Sequence, residues 1–263
     1  RGTLYDRDGN ALAEQLTSYT LYANLYEEYG DVVEDIDETA EKLSTVIDLS
    51  KEEIVAILSK DAYQVEFGTA GRQLTYLEKE KIDQLGLSGI GFRQNTKRFY
   101  PNGIFASHTL GYTKLNEETN VLKGEMGLEL YLDEYLAGKD GVIQYIKDKK
   151  GYLQPNKKEY VIQQVKHGYD FYLTLDSTIQ TFLEEAMDKV WEQANPENLV
   201  AVVANPKTGE IVAMGSRSSF DPNIRDIESY NNPVVSEPFE PGSTIKIYTY
   251  AAAINEGKYS GSQ

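Results

Sequence analysis

Apolar residues recur along this chain with two spacings, one typical of β-strands and one typical of α-helices. Residues 1–13 read as two short strands joined by a tight turn at Asp8-Gly9, a dipeptide that favours the backbone conformation of a hairpin turn. The sequence therefore predicts an antiparallel hairpin at the start of the chain. After Gly141, further extended segments are predicted to be joined by a turn at Asp148 to Gly151.

Three short helices are predicted after the first hairpin. The first spans about Glu38 to Ile47. The second begins at Ser50 and the third at Thr75, and each of these residues starts a capping-box sequence that ends in a glutamate. Gly86 marks the end of the third helix. Their Glu and Lys side chains form a solvated face, so these helices are interpreted as packing elements.

A second run of elements begins after a boundary predicted near Gln163 to Gly168. A strand is predicted over Tyr169 to Leu175, and Asp176 is predicted to cap a helix. That helix has one apolar face, formed by Ile179, Phe182, Leu183, Ala186 and Val190. Two further strands, Asn198 to Ala204 and Glu210 to Met214, are predicted to follow it.

Composition and charge exclude several classes of function. The 263 residues carry a net charge of −16, so a nucleic-acid partner, which requires a concentrated basic face, is not expected. The chain has no cysteine and its only histidines are His108 and His167, so neither a metal site nor another cofactor is predicted. The longest apolar run, Leu199 to Ala204, is far shorter than the ~20 residues that span a bilayer.

Ser243 and Lys246, near the end of the chain, carry the candidate chemistry. Pro241 and Gly242 interrupt the preceding segment, and Thr244 to Ile254 is predicted to be a buried helix with Ser243 in its first turn. Residues at positions i and i+3 share a helix face, so the amine of Lys246 can lie against the hydroxyl of Ser243. A lysine can take the proton of a hydroxyl if burial or nearby cations lower its pKa. The pair therefore predicts a nucleophile, Ser243, with Lys246 as its general base.

A Ser-x-x-Lys spacing is common by itself, and most such pairs are a helix cap followed by a solvated side chain. The flanking residues are informative here, because Phe239 to Lys246 resembles the active-serine box of the penicillin-binding proteins, D,D-transpeptidases that cross-link bacterial peptidoglycan. The resemblance implies that Ser243 attacks the penultimate D-Ala carbonyl of a stem peptide and expels the terminal D-Ala. The acyl group then passes to a neighbouring strand's amine, and this chemistry requires no metal.

Three stretches in the first part of the chain resemble the boxes of the non-catalytic domain of class B penicillin-binding proteins. They are Arg1 to Ala13, Arg98 to His108 with Gly111-Tyr112, and Gly124 to Glu129. The resemblance implies a structural role for their charged residues. Arg1, Asp6 and Arg7 are expected to pair with one another. Arg98 is expected to form a salt bridge with Glu129.

Three other features mimic catalytic residues and are interpreted as structural. Lys207-Thr208-Gly209 and Ser229-Tyr230-Asn231 match two of the family's motifs, but both precede Ser243, whereas the family's motifs follow the active serine. The first is predicted to be a hairpin turn with a positive φ at its glycine, and the second a loop. His108 has no Ser or Asp partner at a meaningful spacing, so no catalytic role is assigned to it.

The predicted fold class is α+β, with an elongated pedestal domain followed by an incomplete penicillin-recognising α/β domain, as in serine β-lactamases and D,D-peptidases. The pedestal, of the dimerisation type, is predicted at residues 1–166, and the first part of a transpeptidase domain at residues 167–263. Because the chain has no initiator methionine and ends soon after Lys246, it is interpreted as a piece of a longer protein. Apolar surface from Leu199 to Ala204 is then expected to be exposed or differently paired, and the piece by itself is expected to be inactive.

The resemblance also implies a setting for the parent protein. It is expected at the extracytoplasmic face of the cell membrane, with an N-terminal anchor that these residues lack. Its expected partners are peptidoglycan stem peptides, β-lactam antibiotics, a membrane-embedded glycosyltransferase, proteins of cell division or elongation, and a second copy of itself. Two alternatives stay open. One is a β-lactam sensor or serine β-lactamase-like protein, and the other is a non-catalytic scaffold or binding module.

Overall fold

The computed structural model of the protein describes residues 1–27, 31–116, 121–144 and 160–261. In chain order, its elements are β1 (Leu4–Tyr5), β2 (Ala11–Asn24), α1 (Ile36–Leu43), α2 (Lys51–Leu58), β3 (Gln64–Glu66), α3 (Tyr76–Gln84), β4 (Ile90–Phe99), α4 (Ser107–Leu110), β5 (Thr113–Asn116), β6 (Val121–Gly124), α5 (Gly127–Tyr131), α6 (Asp133–Leu136), β7 (Val142–Gln144), β8 (Tyr160–Gln163), β9 (Phe171–Tyr172), α7 (Ser177–Ala194), β10 (Leu199–Ala204), β11 (Ile211–Arg217), α8 (Pro233–Ser236) and α9 (Lys246–Asn255). Within these described ranges, no helix is both long and apolar enough to cross a bilayer.

The long strand β2 is the centre of a five-stranded sheet. It pairs antiparallel with β1, β3 and β4, and β1 pairs in parallel with β9. The predicted N-terminal hairpin is confirmed, with Gly9 at a φ of +89° in its turn. The strand predicted over Tyr169 to Leu175 is shorter, because only Phe171–Tyr172 pairs with β1.

Helices α1, α2 and α3 pack on one face of this sheet, around the far end of β2. Both predicted capping boxes are confirmed. The side chains of Ser50 and Thr75 each accept a hydrogen bond from the amide of the glutamate three residues on, and the carboxylate of that glutamate accepts one from the amide of the capping residue. Helix α1 begins earlier than predicted because Asp35 caps it. The buried core under the helices consists of Leu21, Ala23, Ala40, Leu43, Ile47, Ile54, Leu58, Val65, Phe67, Leu74 and Ile82.

A second core lies at the other end of β2 and joins the two predicted domains. Its buried members are Leu4, Leu12, Ala13, Tyr100, Phe105, Ala106, Leu110, Tyr112, Met126, Leu136, Leu175 and Phe220. Leu175 and Phe220 follow the predicted boundary, whereas the other members precede it. The two parts of the chain therefore share one hydrophobic core where they meet.

Glu129 is the centre of a buried ion cluster that holds the three sequence boxes together. The predicted salt bridge is confirmed, with Arg98 Nε 2.6 Å from Glu129 Oε1. Arg1 Nε donates to Glu129 Oε2 at 2.9 Å, and Arg1 Nη1 lies 2.6 Å from Asp133 Oδ1. Arg98 also donates to the Gly2 carbonyl at 2.6 Å. Each box therefore contributes a charged side chain to one buried group.

The predicted mutual pairing of Arg1, Asp6 and Arg7 is wrong. Arg1 pairs with Glu129, and Arg7 Nη2 lies 3.6 Å from Glu210 Oε2. The carboxylate of Asp6 lies within its own hairpin, where it accepts hydrogen bonds from backbone amides. Arg1 and Arg7 therefore each pair with a carboxylate on another element of the chain.

Asp6 connects the N-terminal hairpin to the start of α7. It accepts hydrogen bonds from the amides of Asp8 and Asn10, from the Asn10 side chain and from the Ser177 hydroxyl. Burial by itself would raise the pKa of Asp6, but these hydrogen bonds outweigh it and hold the pKa below its ordinary value. The ionised carboxylate thus stabilises the contact between the predicted pedestal and α7.

The predicted pairing of extended segments after Gly141 is confirmed, because β7 and β8 form an antiparallel pair. The turn predicted between them, at Asp148 to Gly151, lies outside the described residues.

Helix α7 begins at the predicted cap, Asp176, but it buries a different face from the one predicted. Phe182 and Val190 are 64% and 44% exposed. The buried side chains are instead Gln180, Glu184 and Met187. That face packs on β11, where the buried Arg217 guanidinium requires a carboxylate partner.

Strands β10 and β11 form the predicted hairpin, from Leu199 opposite Arg217 to Ala204 opposite Ile211, with a register shift between Val203 and Ala204. Val200 and Val202 on β10 are 43% and 48% exposed. This confirms the expectation of exposed apolar surface on the first of the two strands.

Candidate active site

Ser243 lies in a 3-10 turn, Gly242–Ile245, that leads directly into α9. Gly242 has a φ of +54°, and the Thr244 amide donates to the Pro241 carbonyl at 3.1 Å, so the chain reverses just before the serine. The Lys246 amide bonds back to the turn, at the carbonyls of Ser243 and Thr244. Side chains at i and i+3 eclipse in a 3-10 turn, so this backbone favours placing Ser243 and Lys246 on the same side.

Helix α9 is exposed, so its prediction as a buried helix is wrong. Ile247 is 72% exposed and Ile254 is 56% exposed. The apolar spacing that predicted burial is real, but among the described residues no other element covers those side chains. Ser243 and Lys246 are themselves exposed, and neither side chain makes a hydrogen bond to any described residue. The candidate nucleophile and base are therefore both open to solvent.

The two sequence motifs that mimic catalytic residues lie where they were predicted. Lys207-Thr208-Gly209 is the exposed turn of the β10–β11 hairpin, with Gly209 at a φ of +77° and its amide bonded to the Asn205 carbonyl at 2.8 Å. Ser229-Tyr230-Asn231 lies in the loop between β11 and α8. Both predictions are confirmed.

His108 is buried at the junction of α4 with β11 and the loop that follows. Its Nε2 lies 3.3 Å from the Ser229 carbonyl oxygen and therefore donates to it, which leaves Nδ1 to accept from the Ser216 hydroxyl at 3.3 Å. Its ring also meets the edge of Phe220, with centroids 5.1 Å apart. Burial lowers the pKa of His108, while the bond to Ser229 acts in the opposite direction. These contacts suit a neutral, structural histidine.

We expect His108 to make the folded chain less stable as the pH falls from about 7.5 to about 5.5. The unfolded chain takes up a proton near the ordinary histidine pKa, whereas the folded state resists it, so protonation favours unfolding. The measurement is the urea midpoint across this pH range. His108→Gln should flatten the dependence, and the exposed His167→Gln should leave it unchanged. An equal slope in wild type and His108→Gln would contradict the expectation.

A buried polar network around Glu184 was not predicted from the sequence. One carboxylate oxygen accepts from the Ala106 amide at 3.0 Å and from Gln180 at 2.7 Å, and the other lies 2.7 Å from Arg217 Nη1. Arg217 is also 2.7 Å from Asp188. The only sequence signal was the spacing of Gln180, Glu184 and Asp188, four residues apart on one helix face. The network links α7, β11 and the second sequence box.

Two family models match the chain, one for each predicted part. The penicillin-binding protein dimerisation domain matches residues 1–173. The penicillin-binding protein transpeptidase domain matches residues 199–263. The second match includes the turn that carries Ser243.

Individual relatives agree with these matches. The chain is 34% identical over 262 residues to stage V sporulation protein D of Bacillus subtilis, covering 98% of this chain and 39% of that protein. It is 32% identical over 263 residues to the probable peptidoglycan D,D-transpeptidase PenA of Neisseria meningitidis, covering 98% of this chain and 43% of that protein. The chain thus spans about two fifths of the length of these relatives.

A solved structure shows the same fold. Penicillin-binding protein 2X from Streptococcus thermophilus superposes with a TM-score of 0.73 at 36% sequence identity, over 99% of this chain and 41% of that one. The fold and sequence boxes define a protein with a pedestal ahead of a serine-bearing α/β domain. The chain belongs to the class B penicillin-binding proteins.

Proposed function

We propose that the protein containing this chain is a peptidoglycan D,D-transpeptidase with Ser243 as its nucleophile. The observation that carries the proposal is the position of Ser243 in the turn leading into α9, within the part of the chain that matches a transpeptidase domain. Two relatives are named as D,D-transpeptidases, PenA of Neisseria meningitidis and MrdA of Escherichia coli. The role of the serine is supported by this placement and by the resemblance of its flanking residues to the active-serine box.

In the proposed reaction, Ser243 Oγ attacks the penultimate D-Ala carbonyl of a stem peptide while Lys246 takes the hydroxyl proton. The tetrahedral intermediate collapses, its C–N bond breaks, and D-Ala leaves as an amine that receives the proton. An amine of a neighbouring strand then attacks the serine ester and restores the free hydroxyl. To act as the base, the Lys246 amine must have a free lone pair when the serine attacks.

The domain boundary is part of the proposal. Residues 1–166 would form the pedestal and residues 167–263 the first part of the transpeptidase domain, meeting at the shared core and the Glu184 network. The boundary lies between β8 and β9, where few residues are buried. The pedestal would position the catalytic part and not take part in the chemistry.

The setting of the protein is also proposed and not shown. Relatives named for stage V sporulation and as peptidoglycan D,D-transpeptidases support a place at the extracytoplasmic membrane face, with stem peptides as substrates and β-lactams as acylating inhibitors. A membrane-embedded glycosyltransferase, division or elongation proteins, and a second copy of the chain are proposed partners. The dimerisation-domain match supports the last of these.

Residues 1–263 by themselves are proposed to form no penicillin adduct at a useful rate. Acylation also needs oxyanion donors and a cation placed around the bound substrate, whereas the described residues leave Ser243 exposed on its turn. Loss of one oxyanion donor alone costs about 10²–10³ in rate. In lacking acylation, residues 1–263 by themselves would fit the alternative of a non-catalytic scaffold or binding module.

The test of the proposed function compares the full-length protein with residues 1–263, each incubated with a fluorescent penicillin. We expect the full-length protein to gain one penicilloyl group, mapped by mass spectrometry of peptides to Ser243, while residues 1–263 remain unlabelled. An adduct on another residue of the full-length protein would overturn the assignment of Ser243. Stoichiometric labelling of residues 1–263 would show that a local cation such as Lys207 supplies the anchor.

A further inference from the structure

The outer face of the sheet formed by β3, β2 and β4 carries two adjoining hollows. One, of about 330 Å³, is lined by Thr20, Glu66, Arg72, Gln73, Arg93 and Asn95 among others. The other, also of about 330 Å³, is lined by Tyr22, Asn24, Tyr63 and Gln64. Gln64 of the second accepts a hydrogen bond from Arg93 of the first at 3.2 Å, so the two hollows form one surface. We call this surface the sheet groove.

The alternation of side chains along β2 explains why this face is polar. Leu21 and Ala23 are fully buried against the helices on the other side of the sheet. Tyr22 and Asn24 alternate with them and pair across the sheet with Glu66 and Gln64 of β3. The sheet groove is therefore a continuous polar face on the outside of the pedestal.

The polar side chains of the sheet groove are already held in a row by their own hydrogen bonds. Gln64 donates to Asn24 at 2.9 Å and accepts from Arg93. Arg93 Nη1 lies 2.8 Å from one oxygen of Glu66, and Arg72 Nη2 lies 3.1 Å from the other. The Glu66 carboxylate and the amides of Asn24 and Gln64 have more hydrogen-bonding positions than these contacts use. A ligand would meet a preordered row and lose little side-chain entropy on binding.

Two tyrosine rings border the amide end of this row. Tyr22 lies across Gly91, where even a Cβ atom would come within 2.4 Å of the ring, so only glycine allows this placement. Tyr63 is 59% exposed, and its ring packs against Tyr26 with centroids 5.2 Å apart. Tyr26 is held in turn by a hydrogen bond from its hydroxyl to Asp61. The rings are therefore fixed in position and accessible.

We propose that the sheet groove binds a glycan of N-acetylated amino sugars, the sugar strand of peptidoglycan. A tyrosine ring offers a flat apolar surface to the face of a pyranose, while Asn24, Gln64 and Glu66 match hydroxyl and acetamido groups. Arg72 and Arg93 carry two positive charges against the one negative charge of Glu66. This net positive charge favours carboxylates carried on such a strand. Naming peptidoglycan as the source of the glycan rests on the proposed function.

The lining of the sheet groove also distinguishes this ligand from a protein partner. A specific protein interface has an apolar and aromatic centre with few charges. Here the centre of the row is the ion cluster of Glu66, Arg72 and Arg93, and the aromatic rings lie at one end only. An extended, polyhydroxylated strand fits that distribution, because it can hydrogen-bond along the row and stack at its end.

The experiment measures binding to the full-length protein of two probes, a β-linked oligomer of N-acetylglucosamine and peptidoglycan strands from which an amidase has removed the stem peptides. Tyr63→Ala and Gln64→Ala are each expected to weaken binding about tenfold. The matched control is Tyr131→Ala on α5, whose side chain is 81% exposed and lies outside the sheet groove. It should bind both probes as the wild type does.

Penicillin acylation of the same proteins separates this site from the catalytic one. Acylation at Ser243 should be unchanged in Tyr63→Ala, and thermal melting should show that this exposed substitution leaves the fold intact. Absence of binding to both probes by the wild type, or equal binding by Tyr63→Ala, overturns the groove assignment. If Tyr63→Ala loses binding to a division or elongation protein but keeps its binding to the glycan, the sheet groove is a protein-binding surface and the glycan assignment is overturned. Glycan binding without acylation refutes only the proposed function.

Discussion

We expect that replacing Ser243 by alanine in the full-length protein abolishes its acylation by penicillin. The substitution removes the only oxygen that can form the acyl ester in the proposed mechanism, so the expected change is complete loss of the adduct, not a slower rate. Fluorescent-penicillin labelling followed by intact-mass analysis measures it. Because Ser243 is exposed and its hydroxyl bonds to no described residue, the melting temperature should stay that of the wild type.

Ser229→Ala is the matched control, because Ser229 begins the Ser-Tyr-Asn stretch that mimics a family motif in a loop. It should be acylated at the wild-type rate. Lys246→Ala should keep the hydroxyl but lose the base, which slows acylation by about 10²–10⁴. Labelling of Ser243→Ala at the wild-type rate would refute the nucleophile, and undiminished labelling of Lys246→Ala would remove the lysine from the mechanism.

Replacing Glu129 by alanine is expected to destabilise the pedestal by about 3–5 kcal/mol, which is the typical cost of removing one partner of a buried ion pair. Glu129 is fully buried, and it faces Arg1 and Arg98, whose side chains are 2% exposed. Without the carboxylate, two guanidinium groups stay in the interior with fewer acceptors. Equilibrium unfolding in urea, followed by circular dichroism, measures the loss.

Glu134→Ala is the control for this substitution, because it removes a carboxylate of the same type from an exposed position on α6. Its effect should remain within about 0.5 kcal/mol. Glu129→Gln keeps the shape of the side chain and should fall between the two. If Glu129→Ala cost no more than Glu134→Ala, the cluster would not be what holds the three sequence boxes together.

The elements that the sequence predicted well are those fixed by chemistry within a few residues. The caps at Ser50, Thr75 and Asp176 are confirmed because each side chain bonds to an amide in the first turn of its own helix. The turns at Gly9 and Gly209 are confirmed because a positive φ is a local requirement. Such interactions join residues that lie only a few positions apart in the sequence.

The position of the candidate site was predicted correctly, but the burial of its helix, α9, was not. Ser243 and Lys246 do lie where a turn enters a helix, as Pro241 and Gly242 indicated. Whether α9 is buried depends on which elements pack over it, and the apolar spacing of a helix reports only that one face can be buried. That spacing says nothing of what covers the face, so the prediction of burial failed.

The sequence by itself determined the capped helix starts, the hairpin turns, the family and the placement of the serine, because these follow from local hydrogen bonds and short motifs. Apart from the Arg98–Glu129 salt bridge, which the resemblance implied, only the tertiary structure decided which distant charges pair. Glu129 meets Arg1 across 128 positions of the chain, and Arg217 meets Glu184 across 33. A buried charge requires a partner in space, and its distance along the sequence is set by the packing of whole elements, which no short stretch of residues contains.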